Sequence, residues 1–536
     1  MPPPPDIDAL SLSELKSLVL KLLEERAEFQ RTVGALRDEI ARLKGGPGRP
    51  DIKANVKPSL KPSGMEKASE ARAADPSGGR RRRGATRTKL TIHEERKLEV
   101  APPLGSRFKG YAGFLVQDLI IRPHVTHFRR ACWRTPDGRT VMAPLPPDVD
   151  GHFGPELRRF VLAQYHQGQV TMARLVTLLR GFGILISKRQ IVRLLIAGKR
   201  NFLDEARAVL RAGLTNAAWI TVDDTGARHK GKNGFCTQIG NANFTWFGTT
   251  SSKSRLNFLE LLRAGRRDYV VNKDALAYMR ARALTGSVIA RLRKHKKRAF
   301  ANRRAWIAHL RQIGATALKV NPDPVQIATE GALWGAIKAH GLLADTVIVS
   351  DDAGQFDVGQ HGLGWVHAER LVHKLDTFTD AQRAAQSRVR RLIWLFYRSL
   401  KAWRRNPSPA RKATLSARFD LIFSHKTGFA TLDRLLGRLR ANKSELLRVL
   451  ERPDIPLHTN GSENDIRCQV TKRDISGGTR SDAGRDCRDA FLGLLKTCAK
   501  NGFEFWDYLG ARLAVRGCQE IPDLAQVVRA LAPTPP

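Results

Sequence analysis

Two pairs of adjacent aspartates each follow a short apolar segment, a position in which they could act as metal ligands. The first pair, at 223–224, comes directly after residues 219–222, and the second, at 351–352, comes directly after residues 346–350. Short segments rich in β-branched residues predict buried strands. In an open α/β sheet, side chains at strand ends face the crevice where ligands bind. Carboxylates from neighbouring strands can hold divalent ions there about 3.5–4 Å apart, the separation that in-line phosphoryl displacement requires.

In each pair, either the first or the second aspartate could be the metal ligand. We favour Asp223 and Asp351, the first of each pair, because each directly ends its strand and because alternation turns the next side chain to the other face. Glu463 is the candidate for a third carboxylate, and Arg467, four residues further along a predicted helix, shares its face. Mg²⁺ prefers oxygen ligands of this kind, so the expected cofactor is a pair of Mg²⁺ ions, with Mn²⁺ as an alternative.

The segments around the first aspartate pair predict a ribonuclease-H-like sheet. Residues 235–239 and 244–249 form two more apolar segments, joined by a tight turn at 240–243, and a helix is expected from about Ser254. Three consecutive strands and a helix, with a carboxylate at the end of the first strand, are the opening of such a sheet. We therefore predict a multidomain protein with an α/β ribonuclease-H-like catalytic core and large helical insertions.

The composition makes a polyanion the expected partner. The chain has 92 Lys and Arg against 51 Asp and Glu, a formal charge of +41. Each cation that meets a phosphate releases condensed counterions, so DNA is the predicted partner. A basic membrane-surface protein is the competing class, but no apolar run reaches the ~18 residues of a membrane span and no lipidation motif is present. Six cysteines without a CxxC pair exclude a secreted disulfide framework.

The N-terminal residues carry a heptad repeat. Leucine or phenylalanine recurs every seven residues between Leu15 and Leu43. This pattern predicts a parallel two-stranded coiled coil in residues 1–44, and hence a homodimer or higher oligomer. The alternative is an amphipathic helix packed on its own domain. A basic flexible linker is expected over 45–90. The arginines of this linker that could contact DNA phosphates are Arg80, Arg81, Arg82 and Arg83.

Two small modules are predicted to follow, over 91–150 and 151–200. The first contains turn-forming residues at 135–138 and is expected to be β-rich. The second has three amphipathic segments typical of a helix-turn-helix DNA-binding unit, the last of them capped by Ser187 and Gln190. A purely structural helical hairpin is the alternative. The basic residues of the last helix that are predicted to contact DNA are Lys188, Arg189 and Arg193.

The rest of the chain alternates between core segments and inserts. The expected boundaries are 201–266, 344–379 and 456–536 for the three parts of the core, 267–343 for a basic helical insert and 380–455 for a helical insertion. The last core part contains the helix of Glu463 and the C-terminal helices. Further along that helix, Lys472 and Arg473 are placed to contact the phosphates of a bound strand.

Several segments resemble bacterial insertion-sequence transposases of the IS66 family, the TnpC-type subunit. These segments are the leucine-zipper start, VDDTG, SDDAGQF, WVHAER, NGSENDIR and KNG with the following YL. They occur in the family's order, and the resemblance covers the N-terminal coil and most of 150–515. It implies a DDE recombinase with Asp223, Asp351 and Glu463 at the three acidic positions. His367 and Arg370 match a His-Ala-x-Arg element, for which the resemblance implies a supporting role.

The resemblance also implies what such a protein does. It would bind the ends of an insertion sequence, cleave them and join them to target DNA, with one of two Mg²⁺ ions shared by Glu463. The expected partners are transposon-end and target DNA, and small accessory proteins of the same element, in the nucleoid of a bacterial cytoplasm. Two other functions stay open: a DNA-binding regulator or architectural protein without catalysis, and a stand-alone nuclease of the same fold.

Overall fold

The computed structural model describes Ser11, residues 92–146, Val149 and residues 151–531. Apart from Ser11, the predicted coiled coil of residues 1–44 lies outside these described residues. The predicted linker of residues 45–90, with Arg80 to Arg83, also lies outside them.

The segment before the helices contains a single hairpin among its described residues. Strand β1 (Cys132–Arg134) pairs antiparallel with β2 (Thr140–Met142). The predicted turn between them is confirmed, with the Gly138 N–H donating to the Thr135 carbonyl at 2.9 Å. The expectation of a β-rich module is wrong for residues 92–131, which form no strand. Their side chains are all exposed, so no buried apolar face holds this backbone in a sheet.

Three helices follow where the sequence predicts them. They are α1 (Pro155–His166), α2 (Met172–Gly181) and α3 (Lys188–Ile196). The predicted cap of α3 is confirmed: the Gln190 N–H donates to Ser187 Oγ at 3.3 Å, and the Ser187 N–H donates to Gln190 Oε1 at 2.8 Å. Helix α4 (Arg200–Asn216) then leads to the sheet.

The central sheet begins with three antiparallel strands. They are β3 (Trp219–His229), β4 (Lys232–Gly240) and β5 (Thr245–Thr250). The sequence predicts that the first strand ends at Val222, but β3 continues well beyond Asp223. It does so because its pairing with β4 extends to His229 opposite Lys232, across a two-residue turn. Both turn residues have positive φ, Lys230 at 50° and Gly231 at 77°, as a tight primed hairpin turn requires.

A helical segment separates the first three strands from the last two. Its elements are α5 (Arg255–Leu262), β6 (Tyr269–Val270), α6 (Lys273–Ala281), α7 (Gly286–Lys294), β7 (Ala299–Phe300), α8 (Arg303–Gln312), a 3₁₀ turn (Ala315–Ala317) and α9 (Pro324–Ala339). Helix α9 is buried along most of its length and packs on α5, α6 and β6. The predicted insert is therefore folded onto the core.

Two parallel strands complete the sheet. Strand β8 (Val347–Ser350) pairs parallel with β3, and β9 (Gln360–Leu363) pairs parallel with β8. The strand order is β5-β4-β3-β8-β9. This mixed α/β arrangement is compatible with a ribonuclease-H-like core.

The helices after the sheet build a second apolar cluster and close the first. They are α10 (Trp365–His373), α11 (Asp380–Arg405), α12 (Pro409–Ser424), α13 (Ala430–Ala441), α14 (Lys443–Leu446), a 3₁₀ turn (Arg448–Leu450), α15 (Asn460–Ser476), α16 (Asp482–Lys500), α17 (Phe505–Arg512) and α18 (Leu524–Ala530). Phe396, Trp403 and Phe419 lie in the second cluster, so these aromatic residues of the helical insertion form core. Within the described part of the chain, no helix is both long and apolar enough to cross a bilayer.

Helix α15, which carries Glu463, packs against the sheet through polar side chains. The Ser462 hydroxyl donates to Thr221 Oγ1 at 2.5 Å. Asp465 accepts hydrogen bonds from Thr245 Oγ1 and Lys500 Nζ, each at 2.6 Å. Asp465 and Lys500 form a buried ion pair, since their side chains are 7% and 18% exposed. Directional polar contacts therefore fix this helix on the sheet.

We expect Asp465→Ala to lower the free energy of unfolding by about 3–5 kcal/mol, because it leaves the buried Lys500 ammonium without its carboxylate. Urea denaturation followed by circular dichroism measures the loss. The matched control is Asp474→Ala, an exposed position on the same helix with one weak ion pair at 3.4 Å. Equal losses for the two variants would contradict a structural role of the buried pair.

Candidate active site

The register of the two central parallel strands brings the predicted aspartates together. Trp219 pairs with Val347, and the pairing continues to Thr221 opposite Val349. Continued by two residues, the same register places Asp223 opposite Asp351. Neighbouring strands lie about 4.8 Å apart. Asp223 and Asp351, the first aspartates of the two pairs, therefore occupy equivalent positions along the two neighbouring chain segments.

The electrostatics of Asp223 place three carboxylates near one another. The pKa of Asp223 is raised to about 7, chiefly by burial; a hydrogen bond from the Asp224 N–H opposes the rise, and the negative charges of Asp351 and Glu463 contribute to it. Burial also raises the pKa of Asp351, and His367 opposes that rise. Asp223, Asp351 and Glu463 thus interact although they are far apart in the sequence.

The second aspartate of each pair is already engaged by other side chains. Asp224 Oδ2 accepts a hydrogen bond from Gln355 Nε2 at 2.8 Å, and its other oxygen forms an ion pair with Lys253. Asp352 Oδ2 accepts from Arg438 Nε at 2.9 Å, and its other oxygen accepts from the Asn442 amide at 3.1 Å. By contrast, Asp351 Oδ1 is buried and has no hydrogen-bond partner among the described residues.

Glu463 lies in the first turn of α15, where helix α10 contacts it. Glu463 Oε1 lies 3.3 Å from Arg370 Nη2 and 3.4 Å from His367 Nε2. His367 Nε2 also lies 2.9 Å from the hydroxyl of Thr459, which precedes α15. The predicted supporting residues His367 and Arg370 therefore contact the predicted third carboxylate. Arg467 is exposed one turn further along α15.

The three carboxylates fit a divalent cation by their chemistry. They supply hard oxygen ligands, and the buried Asp351 Oδ1 without a partner is an oxygen that a cation would satisfy. In the described structure their ligand atoms do not all lie within 4.8 Å of one another. There, the one His/Cys/Asp/Glu group with ligand atoms all within 4.8 Å of one another consists of Asp357, His361 and Glu445. Arg282 already forms an ion pair with Asp357 of that group at 2.8 Å.

The predicted DNA contacts differ in their surroundings. Lys188, Arg189 and Arg193 are exposed on α3, as a contact with DNA requires. The prediction for Lys472 is wrong, because its side chain is 2% exposed and donates to the Tyr165 carbonyl at 2.6 Å. Burial lowers the pKa of Lys472 to about 7, with Arg488 contributing in the same direction.

Arg473 is also engaged within the protein. Its Nη1 donates to the Gly226 carbonyl at 2.5 Å, which ties α15 to strand β3, and the residue stays half-buried. Its main contact is therefore structural. The sequence does not indicate this, because the contact depends on β3 extending beyond Asp223.

Sequence reasoning missed the side chains that hold the second aspartates. Lys253 and Gln355 engage Asp224, and Arg438 and Asn442 engage Asp352. No local pattern marks these residues. Arg438 lies in the helical insertion and reaches the site only because α13 folds back to the residues that follow β8. The one signal in the sequence is that two aspartates are adjacent, because two neighbouring negative charges repel and one of them is expected to have a basic partner.

Comparison with known proteins identifies the family of the chain. The family described as "Transposase IS66 family" matches residues 150–283 and 344–486, more than half of the chain. The chain belongs to the IS66 family of transposases. The first matched block contains Asp223, and the second contains Asp351 and Glu463. The family that the sequence motifs resemble is thereby confirmed.

A relative of similar sequence is known from Sinorhizobium fredii. The "Uncharacterized protein y4jO" of Sinorhizobium fredii (strain NBRC 101917 / NGR234) is 52% identical to this IS66-family chain over 324 residues. The match covers 60% of this chain and 100% of the relative.

We expect Asp223→Asn to stabilise the metal-free protein at pH 8. The pKa of Asp223 is raised from 3.8 to about 7 by folding, so the folded state binds more protons between these values and loses stability as the pH rises through them. Asparagine does not ionise and avoids that loss. Thermal unfolding in EDTA should show a gain on the order of 1 kcal/mol or more at pH 8 that vanishes near pH 4.

The matched control is Asp224→Asn, which removes the ion pair with Lys253 and should lower the unfolding temperature at pH 8. A stabilisation by Asp223→Asn that does not change between pH 4 and pH 8 would show that the carboxyl is not held at a raised pKa.

Proposed function

We propose that this IS66-family chain cleaves the ends of an insertion sequence and joins them to target DNA by phosphoryl transfer, on a ribonuclease-H-like core. The observation that carries the proposal is the register of β3 with β8, which supports Asp223 and Asp351 as neighbours when it is continued by two residues beyond Thr221 and Val349. Glu463 adds a third negative charge that acts on Asp223. Three interacting carboxylates could hold cations for phosphoryl transfer, and the positive charge of the rest of the protein would attract a polyanion such as DNA.

Asp223, Asp351 and Glu463 would hold the divalent cations. Bound there, Mg²⁺ or Mn²⁺ would increase the nucleophilicity of the attacking oxygen and stabilise the leaving oxygen. Arg370 and His367 hold Glu463 in place from α10. The buried, unpartnered Oδ1 of Asp351 supports the first aspartate of each pair as the ligand.

The helical unit of residues 155–196 would bind the ends of the element. Its third helix is capped by Ser187 and presents Lys188, Arg189 and Arg193 to solvent. Helix-turn-helix units place such a helix in the major groove. The coiled coil that the heptad repeat of residues 1–44 predicts would join two copies of the chain, so that two ends are held together.

We expect Asp223→Asn, Asp351→Asn and Glu463→Gln each to reduce Mg²⁺-dependent cleavage by about 10²–10³-fold or more, because each removes a charge on which transition-state stabilisation depends. The assay uses a labelled fragment carrying the element's end, identified from inverted repeats in the DNA flanking the gene. Binding of the same fragment should change less than about threefold, since none of the three residues lies on the helical unit.

Asp474→Asn serves as the matched control, since it removes an exposed carboxylate from the helix of Glu463. If all three site variants cleaved the fragment at the rate of the parent protein, the three carboxylates could not be the metal ligands of the reaction. Absence of cleavage by the parent, with end binding intact, would favour a DNA-binding regulator. Cleavage without a joined product, when ends and a target plasmid are incubated together, would favour a stand-alone nuclease.

A further inference from the structure

A surface of the helical insert carries positive charge without compensating carboxylates. No Asp or Glu occurs between Asp274 and Asp323. The exposed cations of this stretch on and between α7 and α8, here called the insert surface, are Arg291, Arg293, Lys294, Lys296, Lys297, Arg298, Arg303 and Arg304. In the described structure none of the eight forms an ion pair with a carboxylate.

Other basic helices of the protein are neutralised at several positions. On α11, Arg390 pairs with Glu369 at 2.7 Å and Arg383 pairs with Asp380. Lys443 pairs with Asp420 at 2.7 Å in the same region. Like charges held close together on a surface repel one another, and in the part of the chain that the structure describes no carboxylate pairs with the insert surface to offset that repulsion. A polyanion is the ligand that would do so.

The insert surface is held on a folded support. Val288 and Leu292 of α7 and Trp306 and Leu310 of α8 are buried in the main core. The Trp306 ring stacks on Tyr269 with 6.0 Å between centroids. The cations therefore project from a fixed scaffold, which lowers the entropy cost of holding a rigid duplex.

The insert is also tied to the loop that follows Asp351. Arg282, which precedes α7, donates to the Asp357 carboxylate at 2.8 Å. Arg255, whose guanidinium lies 3.6 Å from the buried Glu330 of α9, donates to the Gly354 carbonyl at 2.7 Å. A duplex bound on the insert surface would thus be held by the same rigid unit that carries the aspartates.

The family match leaves out this part of the chain. It stops at residue 283 and resumes at 344, so α7, α8 and α9 lie outside the matched blocks. The insert surface is therefore an addition to the shared family domain, and the architecture of that domain does not account for its charge.

We propose that the insert surface binds the phosphate backbone of duplex DNA without reading its sequence, and that this duplex is the target into which the ends are joined. The second clause rests on the proposed function. A target without a fixed sequence must be held through its backbone, since phosphate contacts position a duplex but carry no sequence information. Flexible lysines and arginines without carboxylate partners supply such contacts.

The test replaces four insert cations whose side chains make no hydrogen bond or ion pair in the described structure, in the variant Arg293→Gln, Lys294→Gln, Lys296→Gln and Arg304→Gln. The probe is a duplex of about 30 base pairs of arbitrary sequence, titrated at several salt concentrations. The affinity should fall at least about tenfold near 0.1 M salt, and the slope of log K against log salt should become shallower by about 0.9 for each phosphate that the variant no longer neutralises.

The matched control removes the same charge from exposed positions of α11, in the variant Arg388→Gln, Arg391→Gln, Arg398→Gln and Arg405→Gln. We expect its affinity to change less than about threefold. Equal losses in the two variants, or an unchanged salt slope in the insert variant, would overturn the proposal, because the effect would then come from net charge alone.

A second readout separates this inference from the proposed function. The insert variant should cleave the element's end at the parental rate but yield at least about tenfold less joined product. If the parent protein cleaves no DNA but still shows a steeper salt slope than the insert variant, the insert surface is a DNA-binding site and the proposed transposition chemistry is refuted. Reduced end cleavage together with unchanged binding of the arbitrary duplex would refute the insert assignment.

Discussion

The parallel pairing of β3 with β8 is the constraint on which the candidate site depends. Three residue pairs, from Trp219 with Val347 to Thr221 with Val349, set the register that brings Asp223 opposite Asp351. A slip of one residue would turn Asp351 to the opposite face and bring its neighbour into its place. Because hydrogen bonds between strands fix this register, the helical insert between them can vary without displacing the aspartates.

The helices around the sheet determine which carboxylates remain available. Two adjacent aspartates within β3 and two more directly after β8 concentrate negative charge in one region of the sheet. Lys253 and Arg438 neutralise the second aspartate of each pair, whereas Asp223 and Asp351 are left with raised pKa values by burial. Arg438 comes from the helical insertion, so that insertion contributes to the electrostatics of the site as well as to the second apolar cluster.

The sequence predicts what is local and misses what depends on tertiary contacts. The strands at 219–222 and 346–350, the three helices before the sheet and the cap at Ser187 follow from short-range patterns, and the structure contains them. The continuation of β3 to His229 was missed, because antiparallel pairing with β4 decides it. The burial of Lys472 was missed as well, because a lysine on a helix is ordinarily solvated, and only the packing of α1 against α15 makes it structural.

The polar packing of α15 explains how one helix positions Glu463 relative to the aspartates. Apolar contacts are non-directional and tolerate small shifts of a helix along a sheet, whereas hydrogen bonds define both its rotation and its depth. Ser462 bonds to Thr221, two residues before Asp223 and on the same face of β3, so its neighbour Glu463 is held near that face. Lys472, further along α15, donates to the Tyr165 carbonyl of α1. One helix therefore contacts both the strand of Asp223 and the helical unit proposed to bind DNA ends, so the fold fixes the position of the acidic site relative to that unit.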